Sequence, residues 1–342
     1  MDFRADNVRG ADPAILEALI AANAGTTDPY GQDALSQELC ARLSELFEHE
    51  LAVFPVATGT AANALGIALL SPPWGAVYCT QHAHIHVSEC GAPEQLSGGA
   101  KLLPLAGVHG KLSPSHIDAA IQREGAVHVV VPSVVSISQA TEHGTVYQRA
   151  EIEALAELAR RRRMGLHMDG ARFAHAVSAL GATPAELSWR AGVDVLSFGA
   201  TKNGALAAEA VIVFDRARAR ELEYRRKRAG HLWSKQRFLS AQLLAYVEGD
   251  RWLKNAARAN ALAARLGAGL SRAGFELAAP VETNQVLVQL PAASAEPLRA
   301  EGFLFYDWPA LGPLARRLVT AFDTPSSSVD AFIASAARTR AG

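Results

Sequence analysis

The sequence predicts an α/β fold in which a mostly parallel central sheet carries helices on both faces and a smaller C-terminal α+β domain follows. Three observations predict it. Apolar runs of strand length alternate with amphipathic helical patterns through the first 215 residues. Helical segments separate several of these runs, which is the connection that parallel strands require. Beyond that point the pattern changes to long Ala-, Leu- and Arg-rich helices and then to short strands.

Asp12-Pro13 reads as an N-cap and first helical residue, opening a helix with Ile15, Leu16, Leu19 and Ile20 on one face. Asp33 opens a second, with Leu35, Leu39, Leu43 and Leu46. Strands are expected at 51–56, 76–80, 101–105, 127–137, 165–169, 193–198 and 209–214, and helices at 60–70, 113–123 and 149–163. Long helices fill about 215–272. Short strands follow near 275–278, 284–290 and 303–307, and a last helix starts at about 327. The expected division is 1–248 for an amino-terminal segment and large domain and 249–342 for a small domain, although no Pro/Gly linker marks it.

Composition excludes several classes. The 342 residues can bury a large core. With 33 basic and 34 acidic residues the formal charge is −1, so no nucleic acid or membrane surface is implied as a partner. Cys40, Cys79 and Cys90 are odd in number and lack metal or redox spacing, which fits a reduced, cytoplasmic setting. The start, MDFRADNVRG, lacks the apolar stretch of a signal peptide, and no apolar run approaches membrane-spanning length.

Chemistry concentrates around Lys202, in VDVLSFGATKNGA just past an expected buried strand. Among small and apolar neighbours a lysine loses its charge easily, and the neutral amine is a nucleophile able to form a Schiff base. Asp169 ends another expected strand, and ligands of such sheets sit beyond the strands' carboxyl ends. The pair suits pyridoxal phosphate (PLP), with the lysine for the aldehyde carbon and the aspartate for the pyridine nitrogen. The bland alternatives are a snorkelling surface lysine and a helix N-cap.

Thr58-Gly59-Thr60 follows a strand and opens a helix, so its hydroxyls, free N–H groups and helix dipole make a phosphate cradle; otherwise it is only a cap. His82, His84 and His86 alternate and would share one face if extended. A metal site, a polar loop and an imidazole stacked on the cofactor ring are the three readings, and the stacked imidazole is preferred, with no metal. Arg160 to Arg163 end a helix and read as solvated charge. The run 224–235 is either a solvated face or brings Lys227 or Lys235 to a phosphate. Of Arg316 and Arg317, one points inward if the segment is extended, where an arginine binds a substrate carboxylate.

Together DNVRGADPAILEAL, YGQD (30–33), TGTAAN, HIHVSECGAPE, SQATEHGTVY, HMDGARFAHA, SFGATKNG and RRKRAGHLWSKQRFLSAQ resemble the L-threonine aldolase family, in its low-specificity bacterial branch, along nearly the whole chain. The resemblance implies the PLP-dependent transferase-like (aspartate aminotransferase type I) fold. It also implies PLP-dependent cleavage of L-β-hydroxy-α-amino acids to glycine and an aldehyde, by a homotetramer with active sites at the dimer interface. By the same resemblance Lys202 holds the cofactor, Asp169 pairs with the pyridine nitrogen, and Arg172 contacts the ring's 3′-oxygen side. Thr58, Gly59 and Thr60 hold the phosphate, and Lys227 or Lys235 reaches a neighbour's phosphate. His84 stacks on the ring and is a candidate for the catalytic base, directly or through a water. Arg317 binds the substrate carboxylate, with Ala5, Asp6 and Tyr30 beside the substrate. One departure stands out: Ala5 takes the place of the family's serine, removing a hydroxyl from the carboxylate site. His86 and His143 are also unexpected at their positions. The rival functions are β-elimination or transamination on the same scaffold, and a non-catalytic binding protein.

Overall fold

The computed structural model describes residues 1–121 and 126–341. A seven-stranded sheet is built from β1 (Ala52–Val56), β2 (Gly75–Thr80), β3 (Lys101–Leu105), β4 (Val131–Ser138), β5 (Gly165–Gly170), β6 (Val195–Gly199) and β7 (Glu209–Val213), in the order β1-β7-β6-β5-β4-β2-β3. The β3/β2, β2/β4, β4/β5 and β5/β6 pairs are parallel. β7 runs antiparallel to both β6 and β1. β2, β6 and β7 are buried along their whole length, as strands covered on both faces must be.

Caps fix the early helices. Asp12 accepts from Ala14 N at the start of α1 (Pro13–Ala22), Asp33 from Ser36 N at α2 (Ala34–Leu46), and Thr58 from Ala61 N at α3 (Gly59–Leu70). Helices Arg149–Arg161, Ala219–Arg228, Arg237–Val247, Arg251–Arg272 and Ser326–Ala341 follow. A second, antiparallel sheet consists of β8 (Gln285–Gln289), β9 (Tyr306–Asp307) and β10 (Ala315–Val319), ordered β8-β10-β9.

Four sequence expectations are corrected. The α1 stripe is not buried: Ile15 is, but Leu16 is 38% and Ile20 75% exposed, because Ala18 and Ala22 instead face the helix Arg237–Val247. The strand expected from 127 starts at Val131, after a turn in which Val129 N bonds Ala126 O. The strand at 275–278 shrinks to one bridge, Leu277 to Val288. The helix expected over 113–123 is Pro114–Ala120; residues 122 and 123 lie outside the described residues. Among the described residues no helix is long and apolar enough to cross a membrane.

Two packing features position the site. The long helix Arg251–Arg272 begins in the core of the large sheet, with Trp252 and Ala256, and ends in a second core, with Leu262, Leu266 and Leu270. That second core also holds Phe3, whose ring meets Phe332 edge-on at 5.4 Å. Phe3 N donates to Leu304 O, and Val319 N donates to Phe3 O, so the amino terminus is tied to the small sheet. We propose a division near residue 248, supported by the left-handed Gly249 and Asp250 between two helices, with residues 1–4 docked across it.

Candidate active site

Lys202 sits in the 3₁₀ turn Thr201–Asn203 directly after β6. The turn lies close to the end of β5 because position 199 is glycine: a Cβ there would meet Ala171 Cα at 2.6 Å. Asn203 locks the turn by donating to Tyr246 Oη (2.9 Å) and Trp252 O (2.8 Å). Burial foremost, and then Arg172, holds the Lys202 ammonium below its ordinary pKa, against the pull of Asp169, Asp6 and Glu209. The shift makes the proton easier to lose, in the direction that a nucleophilic amine needs.

Asp169 lies on β5, beside Ser138 of β4 and Ser197 of β6. Its Oδ1 accepts from Ala171 N (2.9 Å) and its Oδ2 from Asn63 Nδ2 (2.8 Å). Burial pushes this carboxyl up, but Lys202 and His84, aided by those two donors, outweigh it, and the net shift is downward. Asn63, on α3, donates also to Glu89 Oε1 (2.8 Å), which bonds His84 Nδ1 (2.7 Å). A continuous network thus runs from His84 through Glu89 and Asn63 to Asp169. Burial raises the Glu89 pKa despite His84.

The histidine stretch is not extended. Residues His84–Val87 form a short helix, so His82, His84 and His86 do not share a face as alternation would require. The ligand atoms of His84, Glu89 and Asp169 do lie within 4.8 Å of one another. The amide of Asn63 donates to both carboxylates, which places N–H groups where a cation would need lone pairs.

Two cavities meet at Lys202, sharing Asn7, His84 and Ala171 as walls. One, of about 240 Å³, is lined by Ala5, Asp6, Arg172, Arg317, Asp169 and Glu142, among others. Asp6 is buried and pairs with Arg172 Nη2, while Asn284 Nδ2 donates to its other oxygen. Arg317 projects from β10 over Trp308, 4.4 Å from the ring centroid. Among the described residues no carboxylate pairs with Arg317, and its buried Nε has no acceptor. Burial, then Arg172, lowers its pKa to about 10. Arg316, its neighbour, instead pairs with Asp307 at 2.9 Å, so the two arginines do separate as extended chain requires.

The other cavity, of about 460 Å³, is lined by Thr58, Gly59, Thr60, Arg9 and Glu209. Thr58 is committed to capping Ala61 N, and no acceptor meets the Gly59 and Thr60 N–H groups among the described residues. Burial lifts the Glu209 carboxyl to about 7. Tyr30, Lys227 and Lys235 are not brought to either cavity of their own chain. They are exposed, with Lys227 Nζ 4.8 Å over the Tyr30 ring and Tyr30 N bonded to Ser234 O.

Asn63, Glu142, Gln285 and Trp308 escape sequence reasoning. Only Asn63 leaves a signal, as the single amide in the apolar stretch AANALGIALL.

Comparison with known proteins gives a consistent result. Residues 2–293 match the family described as beta-eliminating lyase. The chain is 42% identical to the low specificity L-threonine aldolase of Pseudomonas aeruginosa, over 94% of this chain and 93% of that one. The structure of Leishmania major threonine aldolase superposes with a TM-score of 0.92 at 29% identity, covering 99% of each chain. An aspartate aminotransferase from Thermus thermophilus, at 14% identity and a TM-score of 0.70 over 99% of this chain and 91% of that one, shares the fold alone.

Proposed function

The chain belongs to the beta-eliminating lyase family, and within it we propose retro-aldol cleavage of L-β-hydroxy-α-amino acids, of the threonine, allo-threonine and phenylserine type, to glycine and an aldehyde. The cofactor is pyridoxal phosphate, and the residues fit it. Lys202 offers an amine for the aldehyde carbon, its proton made easier to lose by burial. Asp169 offers a buried carboxyl below its ordinary pKa that accepts from Ala171 N and Asn63 Nδ2, suited to keeping the pyridine nitrogen protonated. Gly59 and Thr60 offer unpaired N–H groups at the positive end of a helix for the phosphate. When bound, the group supplies a sink for the electron pair left at Cα.

The chain's own residues do the rest. Arg317 would clamp the substrate carboxylate and so orient Cα in the cavity that it shares with Lys202. Trp308 holds the guanidinium by its ring face, and Asp6 keeps the nearby Arg172 paired, so that Arg317 is left for the substrate. Ala5, beside Arg317 in the same cavity, adds no hydroxyl there. His84, held by Glu89 through Nδ1, presents its ring at the wall between the two cavities, which supports stacking on the cofactor.

One observation carries this reading most: an inward arginine with no carboxylate partner among the described residues shares a cavity with Lys202. Product analysis tests it. Glycine and an aldehyde are expected in equal amounts from phenylserine and threonine; ammonia with a keto acid would mean β-elimination instead. We further propose a cytoplasmic homotetramer with Lys227 or Lys235 reaching a neighbour's phosphate. The three unpaired cysteines, the exposed Leu16 and Ile20 and the outward position of both lysines support it.

A further inference from the structure

We propose that Glu142 is the base that takes the β-hydroxyl proton of the substrate; this rests on the retro-aldol reading above. Glu142 stands in the segment between β4 and the helix Arg149–Arg161 and lines the same cavity as Arg317 and Lys202. Its carboxylate is aimed rather than loose. Oε1 accepts from Ser138 Oγ (2.7 Å) and from His84 N (2.9 Å), while Oε2 is buried with no partner among the described residues. A buried carboxylate oxygen that lacks a donor costs free energy, and a substrate hydroxyl supplies the missing hydrogen bond. Burial, the largest influence on this carboxyl, also raises its pKa, which makes the carboxylate a stronger base.

The rival group is His84, whose Nδ1 is already bonded to Glu89 in the network that ends on Asp169. Drawing a proton into His84 would alter the environment of the carboxylate that serves the pyridine nitrogen. Among the described residues Glu142 bonds to that network through the His84 backbone N–H alone, and it meets Asp169 only as charge.

The step balances as follows. The substrate O–H bond breaks and its proton goes to Glu142. The oxygen's electron pair forms the aldehyde C=O bond as Cα–Cβ breaks, and the pair from that bond stays with Cα until a proton arrives to give glycine. Glu142 then releases its proton to solvent.

The test is Glu142→Gln, which keeps the shape and removes the base. Cleavage of phenylserine is expected to fall by about 10²- to 10⁴-fold in kcat. Exchange of the glycine α-proton in D₂O breaks only a C–H bond and needs no hydroxyl base. It is expected to stay within about threefold of wild type, as is the glycine Kd by calorimetry. Glu142→Asp is expected to recover part of the lost cleavage. Unchanged cleavage by Glu142→Gln overturns the assignment. Parallel loss of exchange and glycine binding also overturns it, since Glu142 would then only build the pocket. If the wild-type enzyme exchanges glycine but yields no aldehyde, the retro-aldol reading itself fails, and the base assignment with it.

Discussion

Asp6→Asn tests the least visible part of the site, the carboxylate that neutralises Arg172. The Asp6 side chain is 1% exposed and that of Arg172 11%, so solvent does little to screen the pair. Breaking one partner of a buried pair costs about 3–5 kcal/mol, because the other charge stays buried without compensation. Asparagine keeps one acceptor but turns an N–H₂ towards either Arg172 or Asn284, both donors to Asp6. A loss of about 3 kcal/mol at pH 7 is therefore expected. Burial pushes the Asp6 pKa up, but Arg172, then His175 and Lys202, bring it below 3.8 in the folded chain. A group with a depressed folded pKa stabilises the fold above its unfolded pKa and loses that contribution as the pH falls through the folded value. The difference between wild type and variant should thus be full from pH 5 upward and narrow below about pH 4. The assay is urea unfolding at fixed chain concentration across this range. A loss under about 1 kcal/mol at pH 7, the size of an exposed pair, would refute the reasoning, as would a gap that fails to narrow in acid.

Two further outcomes are expected. Lys202→Ala should abolish turnover with the fold intact by circular dichroism; near-wild-type turnover with unchanged PLP content would show that another group holds the cofactor. Ala5→Ser, in the cavity that Arg317 also lines, should add a charge-assisted hydrogen bond if that cavity takes the substrate as proposed, and improve threonine or phenylserine affinity about tenfold, mainly through KM. Unchanged KM across several β-hydroxy amino acids would mean that another group already makes that bond.

What was legible in the sequence is what local pattern encodes. Lys202 follows one strand and Asp169 lies near the end of another, whose apolar runs and small flanking residues announce both the strand and its end, and the carboxyl-end rule then places them together. The caps at Asp12, Asp33 and Thr58 were equally readable, since a cap needs only its own first turn. The α1 stripe misled because periodicity marks an apolar face without naming what covers it, and Leu16 and Ile20 stay exposed among the described residues. The histidines misled because alternation signifies a shared face only if the backbone is extended, and theirs is helical.

The network behind Asp169 was out of reach for a different reason. Asn63 meets Glu89 and Asp169 across separations of 26 and 106 residues, and Asn284 meets Asp6 across 278, so no window of sequence contains both partners. The placement of Ala5 follows the same logic. Local pattern in RADN signals no pocket, and only the family resemblance pointed to Ala5 and Asp6; in the structure Phe3 brings them in, by burying its ring in the small domain's core and bonding on both sides to Leu304 and Val319. From that anchor the next residues reach the cavity at the ends of β5 and β6, where Asp6 pairs with Arg172 and Ala5 lies beside Arg317. The cavity we propose for the substrate is therefore walled by the amino terminus, β10 and the β4 exit as well as by Asp169 and Lys202, while the one we propose for the phosphate draws on α3 and the turn after β6. Sheet geometry thus holds Lys202 and Asp169, while Ala5 and Glu142 reach the cavity on other segments, which is where we propose that substrate preference and proton removal are set.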